Sequence, residues 1–424
     1  MSLIQKIIAL KHKKGLFALA DQMVHSGTTF LTGILVGRLL SVGEFGEFSL
    51  GLTLVVFSMV LQDNCLATPY TYRFHNIKNG DIEGLRAGAL IQSLLLAVFC
   101  TILLGAAYFF LPVMQAGGLG NIIFTLALSM PFLFIRETSR RIYFTEFRVV
   151  EVLMMDIIVT ILQVSLIVAI WYLGVISAAN VFAVMALASF VGGLWAFIRH
   201  RHEFNFSAVD IKADTVENIR FGKWLLVGSF CHLGSLYIFP WLIYALIGGE
   251  RAGLFAACYT LVNLINPFIL GFNNFYRPKL MKLYANEGLE VMHAEILKLV
   301  AVFFPVSLII SGGLALAGGH LVHFVYGEEF VNLGTIIAVI GLSVIPVILN
   351  APLQLGILAL NKPQINPKFH SMALASTLCI GVPLVFSYEA MGAAIGFSLS
   401  VTVGFLALVY FYMREIKIQR AMVS

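Results

Sequence analysis

Charge is what this chain has least of. Of its 424 residues only 12% are Asp, Glu, Lys or Arg, against 59% hydrophobic, with a mean hydropathy of +0.92. A soluble domain carries about 25% charged residues, so a globular enzyme with a large core is excluded. Alternating segments of about 10 residues are missing too, which excludes a membrane β-barrel. Cysteine is scarce: Cys65, Cys100, Cys231, Cys258 and Cys379 form no CxxC pair and no metal-spaced set, and read as small apolar residues. No G-x-x-x-x-G-K-[ST] stretch occurs, nor any soluble segment large enough for an ATPase. The net charge of +5 does not point to nucleic acid, because Lys and Arg fall in short loops between apolar runs. The basic start, MSLIQKIIALKHKKG, is followed by no A-x-A-like cleavage site, so the first apolar run is expected to be retained.

What the chain does have is apolar runs long enough to cross about 30 Å of hydrocarbon as helices. The reading is an all-α polytopic membrane protein with twelve spans: 15–40, 46–70, 85–111, 119–141, 150–173, 177–199, 220–247, 251–275, 294–317, 331–360, 368–388 and 391–413. Pro346 and Pro352 predict a kink or break in the tenth. Twenty-five of the 27 basic residues fall on one side of this arrangement. They include Lys6, Lys11, Lys13 and Lys14 before the first span, Lys78 in the 71–86 loop, and the RETSRRIYFTEFR stretch at 136–148. Only Arg38 and Arg251 fall on the other side. The positive-inside rule then places both termini in the cytoplasm.

The chain also resembles itself. VHSG at 24–27 recurs as CHLG at 231–234, and shifting the chain by 207 residues aligns 15–55 with 222–262 without a gap. Eleven of the 41 aligned positions are identical, among them His25 with His232, Gly27 with Gly234 and Gly46 with Gly253. The first and seventh spans correspond, so the repeat is six helices long. Two six-helix lobes, 1–200 and 220–424, are expected to be joined by a cytoplasmic linker at 201–219 and related by a pseudo-two-fold along the membrane normal. Transporters of this build place substrate near the midplane at the repeat interface.

The junction GRLLSVGEFGEFSLGLTLVV (37–56), its echo GGERAGLFAACYTLVN (248–263) and the lead FVYGEEFVNLGTIIAVIGLSVIP (324–346) resemble the multidrug/oligosaccharidyl-lipid/polysaccharide (MOP) exporter superfamily, which has a MATE-like fold. The best match within it is the polysaccharide biosynthesis or O-antigen flippase branch. The stretch QDNCLATPYTYR (62–73) departs from the family, many of whose members have a glycine-rich end to the second span. The resemblance implies a non-enzymatic flippase of the bacterial inner membrane. It would move undecaprenyl-diphosphate-linked oligosaccharide, an O-antigen or related lipopolysaccharide unit, by alternating access. It implies no cofactor, an ion gradient (H⁺ or Na⁺) or the substrate gradient itself as the energy source, and membrane lipids, a polysaccharide polymerase and chain-length proteins as partners. The alternative within the fold is a multidrug or small-molecule cation antiporter. A glycosyltransferase or polymerase needs a large outer loop, and the outer loops here are short.

Ionisable groups inside spans are costly and face a cavity or a partner by default. Asp21 and His25 lie one helical turn apart and can share a proton or hold two helices together. Asp63 is cavity-lining or interfacial, and Asp156 is expected to pair with an arginine. Together these four are the candidates for ion or proton coupling. Arg136 and Arg140, also one turn apart, suit the oxygens of a diphosphate or simply anchor the span end. Arg38, Arg73 and Arg277 are further diphosphate candidates, Arg38 being equally a snorkelling residue. Amides and aromatics suit sugar hydroxyls and rings, which singles out His232, Tyr237, Asn263, Asn266, Asn350 and Gln354, with Trp241 and Tyr244 alongside. His320 and His323 read as outer-loop residues, and His200, His202 and Glu203 as a solvated turn, so no metal site is expected.

Overall fold

The computed structural model describes residues 3–76, 81–110, 118–330 and 332–423, with the side chains of 3–16, 18, 19, 208, 422 and 423 left out. Lys78 and the side chains of Lys6, Lys11, Lys13 and Lys14 therefore lie outside the described residues. Among the described residues there is no strand.

Among the described residues, ten helices are long and apolar enough to cross a membrane. The last, Ile365–Ala421, is two helices: the backbone turns at Glu389 (φ 50°, ψ −128°), where Gly392 sits so close to the Leu384 carbonyl that a Cβ would overlap it. Dividing it there and adding the helix Leu3–Leu39 gives twelve helical segments. These are α1 (Leu3–Leu39), α2 (Val42–Asn76), α3 (Ile82–Phe110), α4 (Leu119–Thr145), α5 (Val149–Tyr172) and α6 (Ala178–His200). They continue with α7 (Ile211–Ile247), α8 (Gly249–Glu287), α9 (Leu289–Tyr326), α10 (Gly334–Ala359), α11 (365–388) and α12 (390–423).

Proline decides where these helices deviate. A proline lacks the N–H and crowds the carbonyl four residues back, which favours a widened or tightened turn before it, although Pro131, Pro240, Pro278, Pro305 and Pro352 sit inside continuous helix. The π turn Asp63–Ala67 precedes Pro69, the 3-10 turn Asn263–Ile265 precedes Pro267, and the π turn Thr377–Gly381 precedes Pro383. The break expected in α10 falls between Gly341 and Val344, just ahead of Pro346. The first of these turns lies in QDNCLATPYTYR, the stretch that departs from the family pattern.

The chain divides into two compact units, Met1–Leu226 and Val227–Ser424. In the first, α4 is central and packs on α3, α6 and α2, while α1 lies along α5. In the second, α10 packs on α9, α8 and α12, and α7 lies along α11, where Thr377 Oγ1 donates to the Ser235 carbonyl (3.1 Å). The pairing pattern thus recurs six helices on. Hydrocarbon gives helices no hydrophobic reason to associate, so close packing and buried hydrogen bonds must hold them. Accordingly Gly381 and Gly396 meet backbone to backbone and admit the Phe239 ring, while Ile102, Ile161, Ile309 and Leu316 project outward.

Three expectations need correction. His320 and His323 belong to the last two turns of α9, not to a loop. The 201–219 stretch is not simply a polar linker, because α7 begins at Ile211 and runs unbroken into the span. Glu203 is not in a solvated turn: Arg86 reaches it at 3.0 Å, Arg148 at 2.6 Å and His200 at 2.8 Å. Arg86 and Arg148 also hold Glu146, which accepts from the Tyr70 hydroxyl, so this network ties the segment after α6 to α2, α3 and the α4–α5 turn.

Candidate functional site

A large cavity opens among the described residues of each unit. The first unit's, 350 Å³, is lined mainly by α1, α2 and α4. Arg136 and Arg140 stand one turn apart on α4 and meet Asp156 of α5: Arg136 Nη2 donates to Oδ1 and Arg140 Nε to Oδ2, both at 2.8 Å. Arg140 Nη2 also donates to Asp21 Oδ2 of α1, at 2.8 Å, and its guanidinium rests over the Phe144 ring. Asp21 is 0% exposed and Asp156 1%. His25 points to the same cluster, its Nδ1 3.8 Å from Asp156 Oδ2. Next to it Thr28 bonds Thr160 (2.5 Å) and Gln163 donates to Thr32 (2.7 Å), which zips α1 to α5.

The arrangement alters the expected pairing. Asp21 and His25 share a helix face, yet each takes a different partner. Arg136 and Arg140 are not bare: two carboxylates already balance them, so the four groups are formally neutral. An unpaired charge at this depth would be costly, which explains why the acids and arginines occur together. Two buried atoms have no partner here, Asp21 Oδ1 and Arg136 Nε. His25, Arg136, Glu137 and Arg140 line the cavity itself.

The remaining charged candidates lie elsewhere. Arg141 reaches Asp63 at 2.6 Å, at the start of the π turn, and Glu137 at 3.9 Å. Arg73 is held by Asp214 (2.5 Å) and Glu217 (3.7 Å) on α7. Arg38, in the last turn of α1, and Arg277, on α8, are exposed, and neither is among the residues lining the two cavities.

The second unit's cavity measures 440 Å³, and all six residues expected to meet a glycan line it. His232 and Tyr237 come from α7, Asn263 and Asn266 from α8, and Asn350 and Gln354 from α10. Asn266 Nδ2 donates to Asn263 Oδ1 (3.1 Å). Sequence reasoning missed His370, whose ring packs against His232 at 4.4 Å, and Tyr259, 6.0 Å from Tyr237. Trp241 and Tyr244 are not among the lining residues, and Tyr244 is buried.

The repeat predicts which positions line the cavities. Shifted by 207, His25, Thr28, Thr29, Leu52, Val56 and Met59 become His232, Ser235, Leu236, Tyr259, Asn263 and Asn266, and both sets line their own unit's cavity. The α2 face is apolar where its counterpart on α8 carries a phenol and two amides. Asp21 has Gly228 as its counterpart.

This is the fold of MOP-superfamily transporters. An inward-facing multidrug-resistance MATE family transporter of that superfamily matches with a TM-score of 0.78 at 15% identity, covering 95% of this chain and 96% of that one. A MOP superfamily transporter from Pyrococcus furiosus matches at 0.67 and 15%, covering 95% and 94%. The lipid II flippase MurJ, in an inward closed conformation, matches at 0.66 and 11%, covering 93% and 87%. Among curated proteins none matches the chain. The model of the family described as "Polysaccharide biosynthesis protein" matches residues 12–275, and the chain belongs to that family.

Proposed function

We propose that the protein is a flippase for undecaprenyl-diphosphate-linked oligosaccharide in the bacterial inner membrane, working by alternating access with both termini cytoplasmic. The observation that carries this reading is the contrast in chemistry between the two cavities. One offers paired guanidiniums, the natural partners of phosphate oxygens. The other offers amides and aromatic faces, which suit sugar hydroxyls and rings. Family membership and the likeness to MurJ, itself a lipid II flippase, support it.

The buried acids give the reading a coupling step. A diphosphate at Arg136 and Arg140 competes with Asp21 and Asp156 for the same donors. A proton taken up by either acid releases arginine donors to the substrate, so an H⁺ gradient can drive the exchange.

The test is reconstitution into liposomes with and without a pH or Na⁺ gradient, scoring translocation of lipid-linked oligosaccharide. Translocation accelerated by a pH gradient is expected. No translocation, alongside gradient-driven efflux of a cationic dye, overturns the reading.

A further inference from the structure

Polar and apolar residues share the lining of the second unit's cavity equally. None of its lining residues is Asp, Glu, Lys or Arg. Its polar groups are five amides (Asn263, Asn266, Asn273, Asn350 and Gln354), the phenols of Tyr237 and Tyr259, Ser235, and the imidazoles of His232 and His370. The two histidine rings pack at 4.4 Å. At 440 Å³ the cavity falls within the ~300–1,000 Å³ of small-molecule sites.

Amides and phenols satisfy hydroxyl and N-acetyl groups, donor to acceptor and acceptor to donor. A carboxylate is different. Buried here, it would lose its water and find no guanidinium or ammonium to replace it, and an unpaired buried charge is strongly disfavoured. The first unit's cavity sharpens the point: every carboxylate buried at its edge is matched by an arginine, so this chain does supply countercharge where it buries an anion.

From this we infer that the second cavity is a sugar subsite selective for uncharged glycan residues, hexoses and N-acetylhexosamines, and that it rejects uronic acids. The inference rests on the flippase reading. It also makes Asn266 and Gln354 specificity-determining positions, because a cation placed at either supplies the missing partner. Arginine is the apt replacement, since its fork matches a carboxylate. Asn266 is exposed, so Asn266→Arg does not disturb packing.

The experiment uses the full-length protein in liposomes and a series of undecaprenyl-diphosphate oligosaccharides of one length. One member is neutral, and the others carry a single uronic acid at each sugar position in turn. For at least one position translocation should fall by roughly tenfold or more, as expected for an unpaired buried charge. At that position Asn266→Arg or Gln354→Arg should narrow the gap between acidic and neutral substrates. Equal rates for the neutral and every acidic member overturn the inference and leave the flippase reading intact. Selectivity that neither arginine variant narrows removes the cavity as its source and overturns it too. If no member moves at all, both readings fall.

Discussion

The two cavities are built at equivalent positions and differ in kind. In the first unit α1 contributes Asp21, the charge is gathered on α4 and α5, and the cavity's α2 face is apolar. In the second, α7 has Gly228 in place of the acid, and polarity is spread as neutral groups over α7, α8, α10 and α11. His25 and His232 occupy equivalent positions at the 207-residue offset, one beside a carboxylate and the other against a second imidazole. The difference teaches that equivalent positions in one helix pattern can carry different chemistry: compact charge in one unit, dispersed hydrogen bonding in the other.

That comparison can be broken from either side. The largest effect is expected from Arg140→Ala, which strips Asp21 of its arginine and Asp156 of one of its two arginines. Leaving buried carboxylates unpaired costs about 3–5 kcal/mol, so thermal unfolding in detergent should show a large loss of stability along with loss of translocation. A smaller change separates charge from packing. Asp21→Asn removes one acid while Arg140 keeps Asp156, so the protein should stay folded while its response to a pH gradient weakens. An unchanged gradient response would remove Asp21 from the coupling step.

The converse experiment puts charge into the neutral copy. At Gly228 a Cβ would lie 3.1 Å from Pro367, and no arginine lines that cavity. Gly228→Asp should therefore destabilise, whereas Gly228→Ala should show only the steric part, and their difference in thermal midpoint measures the unpaired charge. The smallest effects belong to Arg38→Ala and Arg277→Ala. Exposed side chains of this kind usually contribute within about 0.5 kcal/mol, and translocation should be near wild type. A severe defect in either would move the anion site away from the first cavity.

The sequence made the spans legible because a bilayer imposes length and hydropathy on every crossing helix. It also made the arginine pair of α4 legible, since a spacing of four puts Arg136 and Arg140 on one helix face. Across helices its reach ended. Nothing local says that Arg140 reaches Asp21, 119 positions away, instead of Glu137 beside it. For the same reason Glu203 read as solvated: its partners Arg86 and Arg148 come from other elements. His370 was hidden in the same way, since only the packing of α11 on α7 brings it to His232. The repeat was the exception. Its offset carries long-range information, and applied to His25, Leu52 and Val56 it points to His232, Tyr259 and Asn263 before any contact is known.

The central claim, that anion and sugar are handled by different units, has a direct test in ligand binding to the protein in nanodiscs. Two ligands are titrated, undecaprenyl diphosphate without sugar and the full lipid-linked oligosaccharide. The account predicts that Arg136→Ala weakens both, whereas Asn350→Ala and Gln354→Ala weaken only the glycosylated ligand. Equal weakening of the sugarless ligand by the amide variants would contradict it.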